Sequence, residues 1–119
     1  MKAEGLQKNH QFRTVYQRGK SVANKTVVLF ALKNGMEVNR FGVSVSKKIG
    51  NAVVRNRMRR RLKESYRLLA AGLVCGYDIV AMARVPITEA TYAEVNAGLV
   101  RLLQRQALLQ EKKKAGVDA

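Results

Sequence analysis

The stretch from Lys47 to Arg67, KKIGNAVVRNRMRRRLKESYR, constrains this chain more than any other. Nine of its 21 residues are Lys or Arg, against a single acid, Glu64. The same stretch is patterned as a helix. Asn51 follows Gly50 and offers a side-chain oxygen to a free N–H of the first turn. Val54, Met58, Leu62, Tyr66 and Leu69 fall on one stripe at about 100° per residue. Asn56, Arg57, Arg59, Arg60, Lys63 and Arg67 fall on the other side. Arg55 and Arg61 flank the stripe, where long stems lie over apolar surface with their charges outward. Like charges three and four residues apart repel one another. A polyanion removes that cost, so the face predicts RNA or DNA binding in preference to a merely solvated helix face.

Composition supports the same direction. A chain of 119 residues suits one domain, and 47% hydrophobic content is enough for a packed core. The whole chain, residues 1–119, is therefore read as a single RNA-binding domain, with the tail 112–119 frayed. The net charge of +15 argues for a phosphate-rich partner and salt-sensitive binding. No apolar run approaches the roughly 18 residues of a membrane span, and no lipidation motif is present. MKAEGLQKNHQF lacks the apolar core of a signal peptide, so the expected location is cytoplasmic. Cys75 and His10 are each alone, which excludes an internal disulfide and the usual zinc ligand sets. Cys75 reads as a small buried residue, and His10 as a surface or capping residue.

The remaining elements follow from periodicity. Residues 7–18 carry Phe12, Val15 and Tyr16 on one helical edge, with Asn9 as a cap and Gly19 as the stop. Phe12 and Tyr16 suit either a core or a groove that stacks on bases, with Arg13 and Arg18 nearby for phosphates. Residues 26–33, TVVLFALK, read as a buried strand, and Asn34-Gly35 as a turn. Residues 40–46 alternate: Phe41, Val43 and Val45 on one face, Gly42, Ser44 and Ser46 on the other. These two strands are expected to pair antiparallel, the second offering a small, hydroxylated floor. Residues 77–84 form a third strand, closed by Pro86. Thr91 and Glu94 form a capping box for a last helix with Val95, Leu99, Leu102 and Leu103 on its apolar stripe, extended by Leu109. Lys112 to Lys114 are placed in its final turn. The expected fold class is α+β, a small sheet of three to four strands with helices in the order α-β-β-α-β-α.

The chemistry is that of a binder. The acids Glu4, Glu37, Glu64, Asp78, Glu89, Glu94, Glu111 and Asp118 are scattered singly, with no pair suited to holding divalent metals. There is no second histidine for acid–base work and no Walker-type phosphate loop. No heptads follow the basic region, and no helix-turn-helix is evident, so a DNA reader is not expected. Phe12, Tyr16 and Phe30 with a hydroxylated sheet face suit single-stranded RNA, where stacking is worth about 1–3 kcal/mol per base.

The run Ser44 to Glu64, SVSKKIGNAVVRNRMRRRLKE, closely resembles the signature of the protein subunit of bacterial ribonuclease P. Arg55-Asn56-Arg57, after Gly50-Asn51-Ala52-Val53, is similar to that family's RNR motif. Phe12-Arg13-Thr14-Val15-Tyr16 resembles its first-helix pattern. The resemblance implies a ribonucleoprotein that removes the 5′ leader from precursor tRNA. Hydrolysis then belongs to the RNA subunit and its bound magnesium, with no catalytic or metal-holding residue on the protein. It further implies that Arg55, Asn56, Arg57, Arg59, Arg60, Arg61 and Lys63 bind the RNA subunit. Phe12, Tyr16 and Phe30 would line a cleft for the single-stranded leader, with Arg13, Ser44, Ser46, Lys47 and Lys48 at its floor and edge. The family fold adds a left-handed βαβ crossover around the basic helix. By raising precursor affinity, the protein would lower the magnesium requirement. The alternative, a general or ribosomal RNA-binding protein with no enzymatic role, rests on charge and size alone.

Overall fold

The computed structural model describes residues 4–6 and 8–109. Its elements are β1 (Glu4–Gly5), α1 (Asn9–Arg18), β2 (Lys20–Ala23), β3 (Val27–Lys33), β4 (Arg40–Ser44), α2 (Ala52–Leu69), β5 (Tyr77–Ala83) and α3 (Tyr92–Arg105). Short 3₁₀ turns stand at Lys47–Ile49, Ala70–Gly72 and Val85–Glu89. The class is α+β, with one mixed sheet in the order β1-β4-β5-β3-β2.

The sheet departs from the expected pairing. Strands β3 and β4 do not pair with each other, because β5 lies between them, antiparallel to β3 and parallel to β4. The physical reason is the composition of β5. Ile79, Val80 and Ala81 have no exposed surface at all, and only a central strand covered on both faces can provide that. β4, with Gly42 and Ser44 on one face, is suited to a position nearer the edge. The segment from β4 through α2 to β5 is thus a βαβ unit joining two parallel neighbours. Two further strands complete the sheet. β2 starts at once after Gly19, and its polar, exposed KSVA sequence gives little strand signal. β1 is two residues long and pairs with the start of β4.

Alternation along the strands sorts the core into two layers. Val27, Leu29 and Ala31 of β3, Ile79 and Ala81 of β5, and Phe41 of β4 pack with Met58, Leu62 and Tyr66 of α2 and Leu99 and Leu103 of α3. On the opposite face Val80 meets Val15 of α1 and Leu6, with Phe12, Tyr16, Phe30 and Leu32 partly buried around them. α1 has ten residues, about 15 Å of helix, so it roofs only part of that face. Gly19 ends α1 with an extended backbone, and a Cβ there would stand 2.6 Å from the Val15 carbonyl oxygen and 3.0 Å from that of Ala31. Close approach to β3, not a left-handed turn, is what requires glycine at that position.

The helix ends refine the sequence reading. Lys8, not Asn9, occupies the N-cap of α1, and its backbone N–H donates to Gln11 Oε1 at 3.0 Å. Asn51 caps α2 as expected, accepting from the Val54 N–H at 3.0 Å. Thr91 and Glu94 form the capping box of α3. α3 ends at Arg105, where Ala107 takes a positive φ of 62° and turns the chain, so Leu109 leaves the helix and bridges to Leu73. Lys112 to Lys114 and the tail 112–119 lie outside the described residues. Cys75 is exposed, contrary to expectation, since the loop before β5 carries it past the core. His10 is exposed in the first turn of α1.

One buried ion pair fixes the start of β4 against β5. Arg40 donates twice to Asp78, at 2.8 and 2.7 Å, and Asn34 Nδ2 adds a third bond to Asp78 at 3.0 Å. Asn34 also receives the Met36 N–H and donates to the Val38 carbonyl, so the same group shapes the 34–39 loop. Replacing Asp78 by Ala removes the carboxylate that the half-buried Arg40 guanidinium and the Asn34 amide share. The expected cost is about 2–4 kcal/mol in denaturant unfolding, and a loss under about 0.5 kcal/mol, the range of ordinary surface changes, would contradict this role.

Candidate RNA-binding surfaces

The sequence predicts two sets of binding residues, and the fold places them on different elements. α2 turns Met58, Leu62, Ser65 and Tyr66 into the core. Asn56, Arg57, Arg60 and Lys63 are exposed, while Arg55, Arg59 and Arg61 are half-buried along the flanks. Each flanking arginine is positioned differently. Arg59 Nη1 donates to Asn56 Oδ1 at 2.8 Å, Arg61 Nη1 donates to the Ala90 carbonyl at 3.2 Å, and Arg55 Nε is shut from solvent without a hydrogen-bond partner. None of these contacts neutralises a charge. The one local acid, Glu64, is taken by Arg67 through bonds of 3.1 and 2.6 Å. That bond holds the Glu64 carboxyl below its ordinary range and raises the Arg67 guanidinium. Arg55, Arg57, Arg59, Arg60, Arg61 and Lys63 are therefore left without an acidic partner among the described ion pairs.

The second set converges on a groove between α1 and the edge of β4. It has a volume of about 440 Å³ and is lined by Asn9, Phe12, Arg13 and Tyr16 from α1, by Val43, Ser44 and Val45, and by Arg59 from α2. The aromatic residues form a tilted series. Phe12 and Tyr16 have ring centroids 6.3 Å apart, and Tyr16 meets Phe30 edge-on at 5.0 Å. All three rings are half-buried in the α1 layer, and Phe12 and Tyr16 also line the groove, so for these two the core and groove readings merge. Phe30 supports Tyr16 from β3 without lining the groove itself. Ser46, Lys47 and Lys48 are exposed just beyond β4, outside the groove walls.

Gly42 explains how Phe12 reaches the sheet. A Cβ at Gly42 would lie 2.6 Å from Phe12 Cζ and 3.0 Å from Leu6 Cβ. The small face of β4 is thus filled at this point by an aromatic side chain, and of the hydroxylated residues read on that face, Ser44 lines the groove and Ser46 does not. A neighbouring cavity of about 380 Å³ shares Phe12, Val43 and Arg59 with the groove and continues to Lys63, Tyr66 and Arg67. Its wall includes Phe41, stacked on Tyr66 with centroids 3.8 Å apart and planes 5° from parallel. Burial pushes the Tyr66 phenol up to about 12, so it stays neutral there. Arg59, placed by sequence with the outward face of α2, stands where groove and cavity meet. Helical periodicity gave no sign of this, because the neighbour that makes the groove, α1, is distant in sequence.

Both surfaces present cations and polar groups suited to binding phosphates. Among the described residues no three His, Cys, Asp or Glu side chains come together as a metal site. Asp78 is already committed to Arg40 and Asn34, and Glu94 to the Thr91 N–H. Among the described residues, the carboxylates do not fit a resident magnesium ion. Among the described residues no helix is long and apolar enough to cross a membrane.

Gly42→Ala is expected to cost about 1–3 kcal/mol by crowding the Phe12 ring. Phe12→Leu, which removes the ring atoms in the way, should recover most of that loss in the double variant. Additive losses across the cycle would show that the two positions do not touch.

Comparison with known proteins agrees with this geometry. The sequence matches the ribonuclease P family over residues 1–107. It is 47% identical over 109 residues to the ribonuclease P protein component of Caldanaerobacter subterraneus subsp. tengcongensis, covering 92% of this chain and 94% of that protein. The corresponding protein of Clostridioides difficile is 46% identical over 105 residues, covering 87% and 92% of the two chains. Among solved structures, the RNase P protein of Staphylococcus aureus superposes with a TM-score of 0.84 at 33% identity, over 92% of this chain and all of that one (100%). The RNase P protein of Thermotoga maritima gives 0.79 at 32% identity, over 86% and 96%.

Proposed function

Because the chain belongs to the bacterial ribonuclease P protein family, the protein component of an endoribonuclease that processes precursor tRNA, we propose a division of labour between its two cationic surfaces. As a ribonuclease P protein it associates with ribonuclease P RNA, and the outer face of α2 is the surface that does so. Arg55, Asn56, Arg57, Arg59, Arg60, Arg61 and Lys63 supply it: the six cations have no acidic partner among the described ion pairs, and Asn56 accepts from Arg59. Cations of this kind displace counterions from a phosphate backbone, which makes assembly tight and salt-sensitive.

The groove holds the single-stranded 5′ leader. Phe12 and Tyr16 provide open ring faces for bases, Phe30 steadies Tyr16, and Arg13 and Ser44 stand on the walls for phosphate and sugar oxygens. Ser46, Lys47 and Lys48 continue this edge beyond the groove proper. Arg59, at the junction, lies within reach of both RNAs and makes the least clear-cut division between them. The observation that carries the reading is the half-burial of the aromatic series beside an unneutralised basic helix.

Magnesium belongs to the RNA subunit, and no step of hydrolysis is assigned to this chain. The protein contributes binding energy to the precursor through its leader, which mature tRNA lacks, so it favours substrate over product and lowers the magnesium needed. The working location is the cytoplasm. A general RNA-binding role without enzymatic partners has only charge and size behind it, and the family membership decides against it.

Phe12→Ala and Tyr16→Ala are expected to weaken binding of leader-bearing precursor by about 5- to 150-fold, in line with one stacked base each, while leaving affinity for the RNA subunit unchanged. Arg57→Ala with Arg60→Ala should do the converse and flatten the salt dependence of assembly. Equal losses in both assays for both variants would reject the division.

A further inference from the structure

A third cluster of cations stands on the same sheet face as α2 and α3, at the turn joining β2 to β3. The turn is held unusually firmly. Asn24 Oδ1 accepts from the Thr26 N–H at 3.0 Å, the Thr26 hydroxyl at 3.2 Å and the Val27 N–H at 2.9 Å. The Arg84 N–H donates to the Thr26 carbonyl at 2.8 Å. α3 presses on the turn at Gly98, where a Cβ would lie 2.7 Å from Asn24 Nδ2. Lys25 stands exposed within this turn.

Two arginines from separate elements converge on consecutive carbonyls of the same corner. Arg105 Nη1, from α3, donates to the Ala23 carbonyl at 3.3 Å. Arg84 Nη1, after β5, donates to the Asn24 carbonyl at 2.7 Å. A carbonyl fixes a guanidinium without neutralising it and leaves its other N–H donors for a second acceptor. Neither arginine, nor Lys25, takes part in the described ion pairs. Two guanidinium groups are therefore held on a rigid corner, with the exposed Lys25 beside them, an arrangement suited to phosphate oxygens.

The surroundings limit what binds there. A cavity of about 340 Å³ opens beside Lys25, and its wall includes Glu89, Glu94 and Ala90. Glu94 is occupied by the Thr91 N–H. The two carboxylates disfavour an anion on the cavity floor and leave the rim as the contact. Ala90 is also the residue whose carbonyl receives Arg61 of α2. The Arg61–Ala90 bond brings α2 to the wall of the cavity beside Lys25, whereas the aromatic groove belongs to the α1 side.

We propose that Lys25, Arg84 and Arg105 form a second phosphodiester-binding surface for the RNA subunit, engaged by the same RNA that lies along α2. This rests on the reading of α2 as the RNA-subunit face. The test measures binding of full-length protein to ribonuclease P RNA over a range of salt, and binding of precursor by the assembled enzyme. Lys25→Gln, Arg84→Gln and Arg105→Gln together are expected to weaken RNA-subunit binding about tenfold and to reduce the salt slope by about two. Lys25→Gln alone, which disturbs no described hydrogen bond, should produce about a third of that change with an unaltered unfolding transition, so the test survives any destabilisation of the triple variant. An undiminished slope in both variants, beside a reduced slope for Arg57→Ala with Arg60→Ala, overturns the corner and leaves α2 standing. An undiminished slope for the α2 variant overturns the premise itself. Loss confined to precursor binding also overturns the proposal, by assigning the corner to the substrate.

Discussion

The burial of β5 on both faces is the constraint from which the rest of the structure follows. Ile79, Val80 and Ala81 leave no surface to water, so the sheet needs a layer on each side. At about 25 cal/mol per Å² of apolar area, covering a strand of this kind is among the larger favourable contributions a small domain has. One layer is α2 with α3, the other α1. The ion pair of Asp78 with Arg40 then sets the register between β5 and β4. With that register fixed, Gly42 stands under Phe12, and the groove has its floor.

This layering is what separates the two surfaces proposed to bind RNA. α2 buries Met58, Leu62 and Tyr66, and its arginines are thereby fixed on the side away from the sheet. α1 is too short to roof its own face, so Phe12 and Tyr16 remain half-open at its edge. Repulsion along α2 is retained in the free protein because its acid, Glu64, serves Arg67 alone. The free protein therefore carries an electrostatic cost that a bound polyanion would remove, which on the proposed reading couples its stability to its RNA partner. The same layering puts the Lys25 corner with α2, not with the groove.

Much of this was legible in the sequence, for identifiable reasons. The α2 helix, its Asn51 cap and its two faces were written in a period of 3.6 residues and in charge. The Thr91–Glu94 capping box and the Asn34-Gly35 turn are local signals, and both stand where they were read. The alternation of β4 correctly separated Phe41 and Val45 from Gly42. What was not legible is non-local. Nothing in residues 26–46 says that another strand will enter between β3 and β4, although the unbroken apolar run of β5 was a sign that it belongs at the centre. β2 is polar and depends on its pairing with β3 for its shape. Arg59 at the groove, Arg61 on Ala90 and the arginines on the Ala23–Asn24 carbonyls all depend on contacts between distant segments. Cys75 is exposed where burial is expected because a small residue between apolar neighbours looks the same in a loop as in a core.

The central claim is that the chain contributes binding and the RNA contributes the chemistry. Its most direct test is cleavage of leader-bearing precursor tRNA by a bacterial ribonuclease P RNA, at magnesium too low for the RNA alone, with and without this protein. The account predicts that the protein restores cleavage at the mature 5′ end and that a precursor with its leader removed gains no affinity from it. Tight binding of the protein to the RNA without restored cleavage would contradict the account.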